Sequence, residues 1–170
     1  MNTNIRPVSP NETDAFYNML CRLDRETKFM MYEPGEREKN TSGKELLRAN
    51  ITAAAGGGDL LLAAEDSEGK LVGFIWAERG KQNRIRHTAY IVTGILEAYR
   101  GQGIGTEFFS RLDCWAREND VIRLELTVEC NNVSAKHLYE KSGFFVEGVR
   151  QKSMKLDGEF VDEYYMAKVI

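Results

Sequence analysis

Closely spaced glycines stand between an apolar run and an amphipathic segment past the middle of this chain, in the stretch Tyr99-Arg100-Gly101-Gln102-Gly103-Ile104-Gly105-Thr106. Residues 89–96 before it have the character of a strand. After it, apolar residues recur at helical spacing, at Ile104, Phe108, Leu112 and Trp115. The first amides of a helix lack intrahelical partners and carry part of its positive dipole end. Glycines at that point predict a cradle of backbone N–H groups for a pyrophosphate.

Three known phosphate-binding loops contain glycines at such spacings. The P-loop requires a lysine after its last glycine, and none follows Gly105. The dinucleotide fingerprint GxGxxG fits Gly101 and Gly103 but places Thr106 at its last position. The third pattern, (R/Q)xxGx(G/A), is matched at every position by Arg100, Gly103 and Gly105. A helix whose glycines only allow close packing against a strand is the alternative to all three.

A second segment carries the pattern N-x-x-A-x-x-x-Y-x-x-x-G-F within residues 131–144, NNVSAKHLYEKSGF. With both segments present, the chain resembles the GNAT N-acetyltransferase superfamily, most sharply over residues 88–148. The resemblance implies one GNAT domain over residues 1–170. It also implies an α/β (α+β) fold with a mixed central sheet of about six to seven strands flanked by about four helices. Acetyl-CoA would be the co-substrate, and no metal would be required.

The resemblance also implies roles for particular residues. Tyr139 matches the family's general acid, which would protonate the departing thiolate. Because a phenol has an ordinary pKa of ~10 and a thiol ~8.5, that proton transfer is uphill unless the surroundings shift one of the two pKa values. The backbone of the strand before the loop would lie along the pantetheine, and the Ile95 amide would meet the oxyanion. The residues expected to hold the cofactor are Ile95, Leu96, Glu97, Arg100, Gly101, Gln102, Gly103, Ile104, Gly105, Thr106, Asn131 and Lys141.

The general base stays open at this stage. Many members of the family use a glutamate on the strand before the loop, and residues 87–93, HTAYIVT, contain no acid. His87 has a suitable pKa range but stands beside Arg84 and Arg86, which favours a solvated position. Tyr90 could organise a water, and Glu33 follows the first helix on the side where the family binds its acceptor. The remaining alternative needs no base, because the protein would bind amine that is already deprotonated in solution.

Hydrophobic periodicity and turn residues predict the elements around these segments. We expect helices from Glu12 and over residues 42–55, the second with Leu46 and Leu47 inward. Hairpins are expected at residues 59–78 and at 144–169, with the second turning at Asp157-Gly158. Gly94 interrupts the strand over residues 87–96, which predicts a bulge or a close approach by a ligand. Asn131 and Asn132 are expected to cap the helix that carries Tyr139.

Composition narrows the class of protein. At 170 residues the chain is long enough for one domain with a real core. A net charge of −3 does not favour binding to nucleic acid, and no apolar run is long enough to span a bilayer. The first twelve residues lack the apolar core of a secretory signal. Three cysteines without metal-like spacing predict reduced thiols in a cytoplasmic protein.

These observations predict an N-acetyltransferase that moves the acetyl group of acetyl-CoA to a primary amine by direct attack in a ternary complex. The acceptor would be a small molecule or a protein N-terminus. The alternative is a non-catalytic acyl-CoA-binding or regulatory module that kept the loop and lost acceptor chemistry. Glu159, Asp162 and Glu163 in the last hairpin are expected to be surface charges, with attraction of a cation as the alternative. Homodimers are common in the family, and no membrane partner is expected.

Overall fold

The computed structural model describes residues 3–170, which contain seven strands and five α-helices. The strands are β1 (Asn4–Pro7), β2 (Leu60–Glu65), β3 (Leu71–Arg79), β4 (Thr88–Ile95), β5 (Arg123–Glu129), β6 (Phe145–Leu156) and β7 (Glu159–Val169). The helices are α1 (Thr13–Glu26), α2 (Glu36–Lys39), α3 (Gly43–Ala55), α4 (Ile104–Glu118) and α5 (Val133–Lys141). The expected mixed sheet is confirmed, with four longer helices and the four-residue α2, which the sequence did not predict.

The described chain forms two compact units. The first holds the residues up to Glu78 together with Val92–Phe108, and the second holds Arg79–Ile91 and Phe109–Ile170. Strand β4 passes from the second unit into the first, so it is counted in both. The strand order is β1-β2-β3-β4-β5-β7-β6.

In the first unit, α1 buries an apolar stripe at helical spacing that includes Phe16, Leu20 and Leu23. Phe16 meets Phe74 of β3 edge to face, with ring centroids 5.5 Å apart. Strands β2 and β3 form an antiparallel hairpin with Leu62 opposite Ile75. The expectation for Leu46 is wrong: its side chain is 61% exposed, whereas Leu47 of the same helix is buried. Consecutive positions are about 100° apart on a helix, so only one of the pair faces the core.

In the second unit, β4 and β5 pair in parallel over Thr88–Tyr90 and Arg123–Glu125. Strand β5 then pairs antiparallel with β7 along its whole length, and β7 pairs with β6. Alternation along β5 buries Leu124, Leu126 and Val128 and directs a row of polar side chains to the other face of the sheet. The last hairpin turns at Asp157 and Gly158, both with positive φ, as the type I′ signal predicts.

Candidate active site

The glycine loop lies between a short 3-10 turn at Glu97–Tyr99 and the start of α4 at Ile104. Gly101 and Gly103 have φ of +71° and +86°, a region that side chains disfavour. A Cβ added at either glycine would meet no atom within 4 Å. Close packing therefore does not explain these two glycines. They give the loop its conformation and leave the surface in front of the first amides of α4 open.

Side chains fix the base of this loop. The Tyr99 hydroxyl donates to Asp66 at 2.7 Å, which ties the 3-10 turn to the end of the β2–β3 hairpin. The Arg100 Nε donates to the Ile95 carbonyl at 2.9 Å, and the side-chain amide (Nε2) of Gln102 donates to the Ala98 carbonyl at the same distance. The base of the loop is therefore held by its own strand and turn and by Asp66 of the β2–β3 hairpin.

The strand before the loop has fewer open main-chain groups than expected. The Leu96 amide donates to the Val72 carbonyl at 2.9 Å, and the Glu97 amide donates to a Glu26 carboxylate oxygen at 2.7 Å. The Ile95 carbonyl already accepts the Arg100 bond. A cofactor that paired with the Leu96 or Glu97 amide would have to replace these bonds.

Gly94 lies close to side chains of the protein itself, whereas the sequence predicted a bulge or a close approach by a ligand. A Cβ there would lie 3.1 Å from Leu23, 3.2 Å from Phe74 and 3.4 Å from Met30. The close approach predicted at this glycine is therefore made by side chains of the protein's own core, where a β-carbon would crowd its neighbours.

Helix α5 carries the second motif. Counting back from Ala135 places the motif's asparagine at Asn132, one residue after the Asn131 that we had expected to contact the pantetheine. The Asn132 side chain accepts from the Ala135 amide at 3.2 Å and is the N-cap of α5. Asn131 is exposed and does not cap the helix, so only one of the two predicted caps is correct. Lys141 lies exposed at the other end of α5.

Tyr139 is buried in an aromatic cluster of the second unit. Its ring centroid is 5.5 Å from that of Phe109 and 6.3 Å from that of Phe144. Burial, followed by the charges of Glu129 and Tyr90, raises the pKa of the Tyr139 phenol well above its usual range. The phenol therefore keeps its proton throughout the neutral range, and giving that proton to a thiolate is harder than for an ordinary tyrosine.

Two buried glutamates of the second unit were missed as site residues. Glu129, at the end of β5, is 4% exposed, and Glu163 of β7 stands opposite it in the strand register and is 5% exposed. The expectation that Glu163 is a surface charge is wrong. Arg150 of β6 donates to it at 3.2 Å. Alternation along β5 could have placed Glu129 beside Thr127, but only strand pairing brings it opposite a second carboxylate.

The candidates for a general base lie in different settings. His87 and Glu33 are both exposed to solvent. The Tyr90 hydroxyl and the Thr127 hydroxyl form a 2.8 Å hydrogen bond between β4 and β5. Burial and the Glu163 charge raise the pKa of Glu129 above its ordinary value. A carboxylate with a raised pKa is better matched to accepting a proton near neutral pH.

Within residues 3–170, no set of three or more histidine, cysteine, aspartate or glutamate side chains is arranged to hold a metal ion. The cysteines Cys21, Cys114 and Cys130 are free thiols. No helix in this part of the chain is both long and apolar enough to cross a bilayer.

Comparison with known proteins agrees with the residue patterns. The family model for the acetyltransferase (GNAT) family matches residues 17–144, a span that includes both the glycine loop and Tyr139. The chain belongs to the GNAT acetyltransferase family. In this GNAT protein four strands precede the loop, and α4 follows it.

Individual GNAT proteins resemble this chain over different extents. The L-amino acid N-acetyltransferase AaaT of Escherichia coli is 33% identical over 106 residues, which are 60% of this chain and 64% of AaaT. The matched stretch thus spans less than two thirds of that relative's length. A GNAT-family acetyltransferase structure from Streptococcus pneumoniae is 27% identical, covers 99% of this chain and 100% of its own, and has a TM-score of 0.91.

A third GNAT comparison concerns the fold alone. The Salmonella typhimurium protein yncA, solved with its cofactor acetyl-CoA, is 19% identical and has a TM-score of 0.84. The alignment covers 99% of this chain and 94% of yncA. The same fold therefore accommodates acetyl-CoA in a protein of nearly the same extent.

Proposed function

We propose that this GNAT protein is an acetyl-CoA-dependent N-acetyltransferase that acetylates a primary amine by direct attack of the amine on the thioester. The observation that carries the proposal is the open glycine loop at the start of α4. Gly101 and Gly103 adopt a backbone that glycine favours, without any packing contact that requires them. The acetyl-CoA found in the structurally similar yncA supports the assignment of the ligand.

In this proposal the loop binds the diphosphate of the cofactor. Backbone amides from Gln102 to Thr106 face the phosphate oxygens at the positive end of the α4 dipole. The Arg100 guanidinium is exposed, with its Nε engaged by Ile95, and adds positive charge beside the loop. By the family resemblance we also assign Lys141 to the phosphates, and Asn131 and the backbone of residues 95–97 to the pantetheine, where the Leu96 and Glu97 amides would exchange their present bonds for bonds to the ligand. We treat residues 1–170 as one such domain.

Tyr139 is the proton donor to the departing thiolate in this scheme. Its raised pKa keeps the phenol protonated before the reaction. Donation becomes favourable only when the thiolate forms beside it and the negative charges around it are reduced.

The name of the E. coli relative supports a choice of acceptor class to test first. AaaT is named an L-amino acid N-acetyltransferase, so L-amino acids are the first acceptors to test. Small polyamines, aminoglycosides and peptide N-termini complete the panel. The three free thiols of the chain fit a reducing compartment, and we propose the cytoplasm as its location.

Two measurements test the function. Calorimetry with acetyl-CoA should give a Kd in the micromolar range or tighter, and the amine panel with a free-thiol readout should show CoA release above hydrolysis. Gly103→Glu should abolish cofactor binding, because it places bulk and negative charge in front of the amides. Gly57→Glu is the matched control, since Gly57 also has positive φ and open space around its Cβ position.

The alternative, a non-catalytic acyl-CoA-binding module, has one supporting feature: β4 contains no carboxylate that could act as the base. Saturable acetyl-CoA binding without turnover on any amine of the panel would favour this alternative. Absence of binding by the parent protein would exclude both functions.

A further inference from the structure

One face of β5 carries polar side chains whose partners can be followed residue by residue. Arg123 pairs with Glu125 on the same strand and with Glu147 of β6. Thr127 bonds the Tyr90 hydroxyl at 2.8 Å. Glu129 is the last residue of this row, and its register partner across the strands is another carboxylate, Glu163. The row therefore ends with two buried carboxylates side by side.

The charges of this pair do not balance. Glu163 is neutralised on one side by Arg150, with Nη1 3.2 Å from the carboxylate. The charge that acts on Glu129 is the like charge of Glu163, and a hydrogen bond from its own backbone amide favours the anion only in part. With both carboxylates ionised and one guanidinium, the set carries one negative charge in excess. Two buried carboxylates that share a single cation disfavour the doubly ionised state, so this set favours either a proton or a bound cation.

The set is also connected to the phenol that the proposed function uses. The Glu129 charge contributes to the raised pKa of Tyr139, as does Tyr90 from β4. Strand pairing brings further ionisable groups to this end of β5. They are Glu163, Asp162 and Tyr164 of β7, Arg150 of β6, Lys136 of α5 over the Tyr164 ring, and Cys130, whose backbone amide donates to the Asp162 carbonyl at 2.9 Å. Both cations are already engaged, Arg150 by Glu163 and Lys136 by Glu140.

We propose that Glu129 binds the ammonium group of the acceptor and takes its proton, with Glu163, which lies opposite it in the strand register, as the positioning residue. This inference rests on the proposed acetyltransferase function and names the base of that reaction. The acceptor ammonium supplies the cation that the pair lacks, so the site selects an amine that arrives charged.

The protons balance over one turnover. Glu129 takes one proton from R–NH3⁺, and the neutral nitrogen forms the new C–N bond with the acetyl carbon. The C–S bond breaks, the sulfur takes the Tyr139 proton, and the phenolate recovers a proton from the acylated nitrogen. Glu129 then releases its proton to solvent. Because protonated Glu129 no longer bears a charge, the pKa of Tyr139 falls at the step where that phenol must donate.

The test compares Glu129→Gln, Glu163→Gln and the control Glu147→Gln in the full chain. Glu147 is an ion-paired carboxylate on the neighbouring β6, outside the proposed site. The acceptor is the L-amino acid with the highest turnover in the panel, assayed from weakly acidic to alkaline pH. Acetyl-CoA binding is measured by calorimetry for every variant.

We expect Glu129→Gln to lower kcat/KM by about 100-fold or more at neutral pH, as loss of a general base does, with the Kd for acetyl-CoA unchanged. The deficit should shrink as pH rises, because free amine then replaces the proton transfer. Glu163→Gln should retain activity. In the plot of kcat/KM against pH, the loss of activity at acid pH should move to lower pH in this variant, since it removes the like charge that raises the pKa of Glu129. Glu147→Gln should match the parent.

Three outcomes overturn the inference. If the parent turns over no amine, it falls together with the proposed function. If the parent is active and Glu129→Gln matches it at every pH, the inference alone falls. A deficit of Glu129→Gln that is the same at all pH values would show a structural role only. Should Glu129→Gln fail to fold, Glu129→Asp keeps a carboxylate and must retain an acid limb.

Discussion

At the scale of single residues, the proposed chemistry depends on buried groups whose charge is poorly compensated. Tyr139 sits among aromatic rings, and its phenol is a weaker acid than a solvated tyrosine because burial disfavours the phenolate. Glu129 is a weaker acid than a solvated glutamate for the same reason, with Glu163 adding to the effect. Both groups therefore favour their protonated forms more than the sequence alone indicates.

Tyr139→Phe tests the phenol directly. We expect kcat to fall by roughly ten- to a hundredfold or more, at the low end of general-acid effects, with the Kd for acetyl-CoA nearly unchanged. The aromatic packing against Phe109 is retained in the variant, so the melting temperature should change little. Steady-state kinetics and calorimetry measure the two effects.

The pH profile gives a second check on Tyr139. Because its pKa is raised, the parent should show no loss of activity from phenol ionisation below about pH 10, the ordinary value for tyrosine. Unchanged turnover by the phenylalanine variant would remove Tyr139 from the mechanism.

At the scale of elements, helix ends and turns hold the site residues in place. The 3-10 turn before the loop is bonded to Asp66 through Tyr99 and to Glu26 through the Glu97 amide. Helix α5 is only nine residues long, a length that is marginal without tertiary contacts and a cap. The position of Tyr139 therefore depends on the residue that begins this helix.

Asn132→Ala removes the cap of α5. The Ala135 amide loses its acceptor, and we expect the free energy of unfolding to fall by about 1 kcal/mol, typical for an N-cap asparagine. Urea denaturation measures the loss. Asn131→Ala is the control, because Asn131 is exposed and its side chain does not cap the helix; an equal loss in both variants would contradict the capping role.

At the scale of the whole molecule, binding of a ligand to the folded protein raises the stability of the entire chain. A ligand at a concentration 100 times its Kd stabilises the folded state by about 2.7 kcal/mol. For a protein of this length, 1 kcal/mol corresponds to a shift of roughly 2–4 °C in melting temperature. The net charge of −3 offers no general attraction for an anionic cofactor, so binding has to come from local donors.

Acetyl-CoA at about 100 times its Kd should therefore raise the melting temperature by roughly 5–10 °C. S-acetylpantetheine lacks the diphosphate and should give a much smaller shift at the same concentration. Differential scanning fluorimetry measures both. Equal shifts with the two ligands would mean that the diphosphate contributes nothing, and the glycine loop would lose its proposed role.

Local sequence was enough for the parts of this protein that depend on neighbouring residues. Glycine spacing, helical periodicity and turn residues predicted the loop, the start of α4 and the last hairpin, because each is set by the conformational preferences of a few adjacent residues. The two sequence motifs predicted the family. The four-residue α2 was missed because its formation depends on contacts with the rest of the first unit, including the buried Asp24–Arg37 ion pair.

Tertiary structure decided everything that depends on partners distant in the chain. The Glu26 carboxylate that occupies the Glu97 amide lies 71 positions away in sequence. Glu163 becomes a buried neighbour of Glu129 only through the register of β5 and β7. The acidity of a group depends on burial and on nearby charges, and neither is known until the strands are paired, so the sequence determined which residues are present and the folded chain determined which of them are buried together.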